Sequence, residues 1–482
     1  MWKAVISDLN DLERPIHCKP NNTFIPSNDS PSGSVASPLY ATFINNDPQH
    51  PSPAVARIPL QDCLSCTGCL TLAEEQLSTQ SRHQVVQLCN SWLEQGQPVL
   101  FSLQPQTIAS IAVQCGGLDY TRVAQKIAFA CKQKGVAWVT DQKEARYLSL
   151  LETWEELLQR YNEKEKENRL PLIISACPAW VSFMKRKRPE WMDCLSQVYS
   201  PALMAGYIWK KRNPHIKHVA VMSCYEMAVQ TQTQAVEYPN GILVDALWTT
   251  QQLMEWLNWN QKDGIDCVSS TPLDVTIPSG ISLEQDLCKG TSHGYFWMAV
   301  ERWMEKATIE QNGQQPQVEW RTKPEQEDNQ QVYIRWKSIQ DGKMRRVGMI
   351  LAYGYQSLQR WVRRGLDSDV VLLEAMACPH GCVNGSGQLL TNQAKTPKEQ
   401  RQYLQSIVDV MGTNVTMKNN ISEWNKRNRW SSQAYQGITF HEDDSNEELF
   451  SCPPRLYWNA QKEANIMKDN KENKVSKVDL DW

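Results

Sequence analysis

Three apolar runs constrain this chain more than anything else in it. They are "LPLIISACP" (170–178), "HVAVMSC" (218–224) and "VVLLEAMAC" (370–378), and each ends at or near a cysteine. Short, almost unbroken apolar runs suit strands covered on both faces, as in a parallel sheet. Helical patterns such as "TQQLMEWLNW" and "YFWMAVERWMEKA" lie between them. Strands alternating with helices imply an α/β fold. In such sheets ligands sit beyond the carboxyl ends of the strands. The third run passes into "CPHGCVNGSGQ", a glycine-rich loop with a second thiol. Cys177, Cys224, Cys378 and Cys382 are therefore expected to converge on one crevice.

The other segments fit that plan. "PVLFSL" (98–103) reads as a buried strand, and Pro105 as the opening of a helix. "TRVAQKIAFACKQKG" (121–135) is an amphipathic helix stopped by glycine. "VAWVTD" is a strand, and "ARYLSLLETWEELLQRYNEK" a helix. A helical pattern runs to about residue 94, after a loop-rich start over residues 1–60. The polar stretch 310–331 reads as an exposed insertion, and the chain from about 453 as a mobile tail. The expected division is 1–94, a small loop-rich subdomain; 95–452, an α/β body; and 453–482, a tail.

Composition narrows the function classes. A hydrophobic share of 41% with 21% charge is an ordinary globular balance. A net charge of −3 gives no basic field for nucleic acid. There is neither a signal peptide pattern nor an apolar run of ~18 residues, so no membrane span is expected. The N-x-S/T sequons then carry little meaning. Fifteen cysteines in such a chain are expected to stay reduced. The 19 tryptophans read as bulky filler of core and loops.

Two thiol constellations stand out. Cys63, Cys66 and Cys69 in "DCLSCTGC" match the start of a bacterial ferredoxin loop, where short spacing wraps one corner of a cubane. No fourth cysteine follows nearby, and Cys18 in "IHCKP" could join only through tertiary folding. A four-thiolate zinc site is the rival reading. In the crevice set, Cys177 or Cys224 taken singly is an ordinary core cysteine. Together with the C-x3-C loop, four soft donors at strand ends favour an iron–sulfur site. Glycines in that loop allow close backbone approach.

"SACPAW", "MSC" and "EAMACPHGCVNGSGQ" resemble the three signature loops of iron-only hydrogenases. "ISDLNDL", "DCLSCTGCLTLAEE" and "LQPQTIASIA" are similar, more narrowly, to the hydrogenase-like cytosolic iron–sulfur assembly proteins, also called nuclear prelamin A recognition factor-like. The likeness runs to about residue 408 and resumes at the last residues. It implies a two-lobed, iron-only-hydrogenase-like α/β body with parallel sheets, plus the N-terminal iron–sulfur subdomain. It also implies two [4Fe–4S] clusters. One would be held by Cys18, Cys63, Cys66 and Cys69, the other by Cys177, Cys224, Cys378 and Cys382. The implied role is a non-enzymatic carrier or adaptor between a cytosolic scaffold and a targeting complex, delivering clusters to apo-proteins. The implied location is cytoplasmic, with a nuclear pool left open. Leu480, Asp481 and Trp482 look like the C-terminal signal such a targeting complex reads.

Departures from the pattern bear on this reading. Hydrogenases carry a relay cysteine where this chain has Ala176, which cannot carry a proton. Met227 stands where their second loop has lysine, and Ser223 where proline is usual. Ser386 replaces a glycine. His380, between two thiols, reads as a loop histidine with no role, the alternatives being a polar neighbour or a ligand, and Asp62 reads as a turn or capping residue. Cys89, Cys115, Cys131, Cys194, Cys267, Cys288 and Cys452 have no paired spacing and are expected to be packing or surface residues. No nucleotide-binding glycine motif and no G-x-S-x-G is present. The alternatives are a hydrogenase-related redox or electron-transfer protein, a zinc-stabilised, prelamin-type interaction protein, and a nuclear paralogue with the same clusters but different partners.

Overall fold

The computed structural model describes residues 84–412, apart from 164–168, 176, 225–241, 260–267, 275–289, 323–327 and 390–395. The N-terminal thiols Cys18, Cys63, Cys66 and Cys69 lie outside these residues, as do Ala176, Met227 and the Leu480–Trp482 end.

In chain order, helical residues 84–94 (α1) precede β1 (Val99–Leu103), α2 (Pro105–Gln114), α3 (Tyr120–Gln133) and β2 (Trp138–Asp141). Then come α4 (Lys143–Asn162), β3 (Leu172–Ile174), α5 (Pro178–Lys187), α6 (Pro201–Arg212) and β4 (Lys217–Met222). They are followed by β5 (Ala246–Thr249), α7 (Thr250–Leu257) and α8 (Tyr295–Glu310). The last elements are β6 (Gln317–Trp320), β7 (Asn329–Lys337), β8 (Met344–Tyr353), α9 (Tyr355–Arg364), β9 (Val370–Met376) and α10 (Pro397–Met411).

The strands form two sheets. The first has the order β2-β1-β4-β5 and is parallel throughout. Alternate residues of each strand serve opposite faces. Val219 and Val221 of β4 pack with Phe101, Trp248 and the helices α2, α3 and α7, while Ala220 and Met222 pack on α6. Residues Cys89 and Trp92 of α1 join the first of these layers.

The second sheet has the order β3-β9-β8-β7-β6. β3, β9 and β8 run parallel, whereas β7 and β6 return antiparallel. Leu172, Leu372 and Leu351 face α4 and α8; Ile173, Leu373 and Ile350 face α5 and α9. Helix α4 serves both halves. Ala145 packs with the first sheet, and Leu150, Trp154 and Leu157 with the second.

The α/β class and the buried parallel strands are as expected. The stretch 310–331 is not a simple exposed insertion, because it holds β6 and the buried start of β7. Two buried polar side chains at the start of β7 have specific partners. Asn329 accepts from Trp361 Nε1 at 3.1 Å, and the Gln331 amide donates to the Tyr333 hydroxyl at 2.7 Å. β6 is short and half-exposed, a common form for a sheet edge. Trp180, Trp248, Trp303 and Trp336 are fully buried, in keeping with tryptophan as core filler. Cys89, Cys131 and Cys194 are likewise packed in the core.

Candidate metal centre

Three of the four crevice cysteines come within three residues of a strand end. Cys177 comes after β3 and is the residue that caps α5, with Pro178 taking the first helical position, where a missing N–H costs nothing. The Ser175 hydroxyl accepts from the Cys177 N–H at 3.1 Å and donates to Ala375 O at 2.7 Å. This hydroxyl therefore ties the end of β3 to the end of β9. Cys224 follows β4 in the other sheet. Cys378 and Cys382 follow β9 across a tight turn, closed by Gly381 N–H to Cys378 O at 3.1 Å.

That turn needs left-handed backbone at two successive residues, His380 (φ 61°) and Gly381 (φ 68°). His380 is held by its own N–H, which donates to Asp328 Oδ1 at 2.7 Å. His380, expected to be a loop residue without a role, is thus part of the turn's geometry. A side chain on Gly381 would press on Thr291, Tyr353 and Ser292.

The loops from the two sheets interlock. The Gly387 N–H donates to Ser223 O at 2.9 Å. A Cβ on Gly385 would lie 2.2 Å from Ser223 O, and one on Gly387 would lie 2.7 Å from Thr249 Cγ2. Only glycine permits this approach. Gln388 completes the joint, accepting from the Thr250 hydroxyl at 2.8 Å and donating to Gln106 O at 3.0 Å.

Cys177 and Cys382 pack against one apolar cluster. Cys177 and Cys224 both lie close enough to Cys382 for their charges to act on it. Burial raises the Cys382 pKa to about 12; the Ser292 hydrogen bond opposes it, and Cys177, Cys224 and Glu374 add smaller upward pushes. Ser386 Oγ lies 3.8 Å from Cys224 Sγ. No disulfide joins any of the eight cysteines among the described residues. Among those residues, no three His, Cys, Asp or Glu side chains close around a single ion.

Several neighbours of the thiols went unread in the sequence. Ser292 Oγ stands 3.0 Å from Cys382 Sγ, and His293 Nε2 stands 3.8 Å from it. Burial and the adjacent Arg146 guanidinium push His293 down to about 3, so its ring is neutral. Glu374 is fully buried inside β9, accepting from Phe296 N–H at 2.7 Å and the Tyr353 hydroxyl at 2.9 Å. Burial raises its pKa. A carboxylate within "VVLLEAM" was the signal for this second layer. Ser223 has a specific use as well. Its N–H donates to Gln104 Oε1 at 2.7 Å, a bond that proline could not make.

The donor set fits an iron–sulfur cluster. Soft thiols rise from strand ends, and a glycine-lined loop allows backbone N–H groups to approach. Among the described residues, no helix is long and apolar enough to cross a membrane.

The family model described as "Iron only hydrogenase large subunit, C-terminal domain" matches residues 97–386. The chain is 29% identical over 436 residues to "Protein NAR1" of Arabidopsis thaliana, covering 83% of this chain and 86% of that protein. It is 30% identical over 375 residues to "Cytosolic iron-sulfur assembly component 3" of Mus musculus, covering 72% and 75%. It is also 30% identical over 357 residues to "Cytosolic Fe-S cluster assembly factor narfl" of Xenopus tropicalis, covering 69% and 72%. Among solved structures, an apo [FeFe]-hydrogenase from Chlamydomonas reinhardtii superposes with a TM-score of 0.53 at 18% identity, covering 70% of this chain and 89% of that one. At that identity the likeness speaks for the fold.

Proposed function

This chain belongs to the iron-only hydrogenase large-subunit family, in its branch of cytosolic iron–sulfur assembly proteins, and from that membership we propose that it carries clusters rather than turning over hydrogen. Its role is in cytosolic iron–sulfur protein assembly. It binds two [4Fe–4S] clusters and bridges a scaffold to a targeting complex that serves apo-proteins. The crevice cluster is held by Cys177, Cys224, Cys378 and Cys382. The N-terminal cluster is held by Cys18, Cys63, Cys66 and Cys69, in a subdomain ending near residue 94. The body runs to 452, and the tail from 453 presents Leu480, Asp481 and Trp482 for docking. The working compartment is the cytoplasm.

One observation carries this reading: the thiol-bearing loops after β3, β4 and β9 follow the carboxyl ends of strands in two different sheets, and the loops after β4 and β9 interlock through Gly387 N–H to Ser223 O at 2.9 Å. The names of the relatives support the assembly role.

The test is anaerobic purification with iron, acid-labile sulfide and zinc analysis of wild type, Cys66→Ala and Cys382→Ala. About eight irons and eight sulfides are expected, falling by roughly half in each variant. Stoichiometric zinc without sulfide would replace the carrier with an interaction protein on the same scaffold. For the docking signal, removing Trp482 is expected to abolish recovery of targeting-complex proteins in a pull-down. Undiminished recovery would discard that role for the terminus.

A further inference from the structure

We propose that the Ser292 hydroxyl is a positioning group for the crevice cluster, donating a hydrogen bond to the Cys382 sulfur that raises the cluster's reduction potential and slows its loss. The inference rests on the cluster reading above.

Ser292 is fully buried, so water cannot take the place of its hydroxyl. Its Oγ is 3.0 Å from Cys382 Sγ, a short separation for a bond to sulfur. The backbone behind it is clamped. Ser292 O accepts from Gln106 Nε2 at 2.7 Å and from Arg146 Nη2 at 3.0 Å, and Arg146 Nε donates to His293 O at 2.7 Å. From the other side Gly381 brings the turn close, since a Cβ there would lie 3.1 Å from Ser292 Cβ.

A serine hydroxyl has one proton and here two acceptors within reach, the sulfur and the Tyr353 hydroxyl. Tyr353 gives its own proton to Glu374 at 2.9 Å and stays a neutral acceptor. A metal-bound thiolate carries negative charge, and hydrogen bonds to charged acceptors are roughly twice as strong as neutral ones. The proton therefore points to sulfur. Adding an electron to the cluster increases the negative charge on its ligand sulfurs. A donor fixed on one of them favours the reduced state. The dry surroundings strengthen that preference.

The experiment uses the full chain carrying Cys66→Ala, which leaves the crevice cluster alone. Ser292→Ala and Ser292→Thr are compared in that background. The readouts are the midpoint potential from a spectroscopically monitored redox titration, and the rate of iron loss to a chelator. Ser292→Ala is expected to load about four irons, shift to a more negative potential and lose iron several-fold faster. Ser292→Thr, which keeps the hydroxyl, is expected to stay near the parent on both counts. Failure of the Ala variant alone to load would also support the hydroxyl role. Parent-like potential and loss rate in a loaded Ser292→Ala overturn the inference and leave the cluster reading standing. Equal failure of both variants to load overturns it too. A Cys66→Ala parent without iron brings down the cluster reading itself, and this inference with it.

Discussion

At the scale of single residues, the instructive position is Ser223. It stands where the signature loop of hydrogenases leads one to expect proline, and the sequence offers no reason for the change. The fold does, because its N–H fills the acceptor of buried Gln104. The partner lies 119 residues away, so no local pattern could have shown it. Ser223→Pro should leave Gln104 Oε1 without a partner, at a cost of roughly 1–3 kcal/mol for an unmet buried group. Chemical denaturation of the apo-protein would measure it. A change below about 0.5 kcal/mol would mean the glutamine finds another donor. Glu374 makes the same point with the sign reversed. A charged residue in an apolar strand could be seen in the sequence, but its donors from α8 and β8 could not.

At the scale of elements, legibility followed hydrophobicity. β3, β4 and β9 are nearly all apolar and are buried along their length apart from Lys217, and the sequence shows them plainly. β6 and the start of β7 are polar, and at the start of β7 Asn329 and Gln330 accept bonds from Trp361 of α9 and Thr322 of the β6–β7 loop, partners that no local pattern shows. β8 is apolar toward its end, but its first three residues are charged or exposed, and it carries no thiol to draw attention. The thiol-bearing ends of β3, β4 and β9 were readable from cysteine placement. The interlock of Gly385 and Gly387 with the β4 and β5 ends was not, since glycine spacing does not state which backbone will press against it. Gly385→Ala must displace Ser223 O, a backbone atom that has little room to yield. Overpacking of this kind costs about 1–3 kcal/mol. The expected outcome is a lowered melting temperature together with reduced iron in the crevice and normal iron at the N-terminal site. Equal loss at both sites would point to general misfolding instead.

At the scale of the whole molecule, the crevice lies where two sheets meet, and α4 and α10 help to hold it. Leu404, Ile407 and Val408 of α10 pack on Ala109 of α2 and on Val383, the residue after Cys382. A cluster there would be shielded by much of the body. The N-terminal thiols belong to a short loop-rich stretch of sequence. Exposed to a strong iron chelator, the N-terminal cluster should therefore be lost first, with the crevice cluster persisting several-fold longer. Site-resolved loss, followed with Cys66→Ala and Cys382→Ala, would show the order. Faster loss from the crevice would reverse the assignment of a structural and a labile site.

The interlocked loops also set a schedule for synthesis. Cys382 leaves the ribosome about 200 residues after Cys177. Because Ser223 packs against Gly385 and Gly387, and Cys378 and Cys382 themselves follow β9, a nascent chain cannot assemble the crevice until β9 and its loop have emerged. A cluster held there would then enter late, after both sheets have found each other.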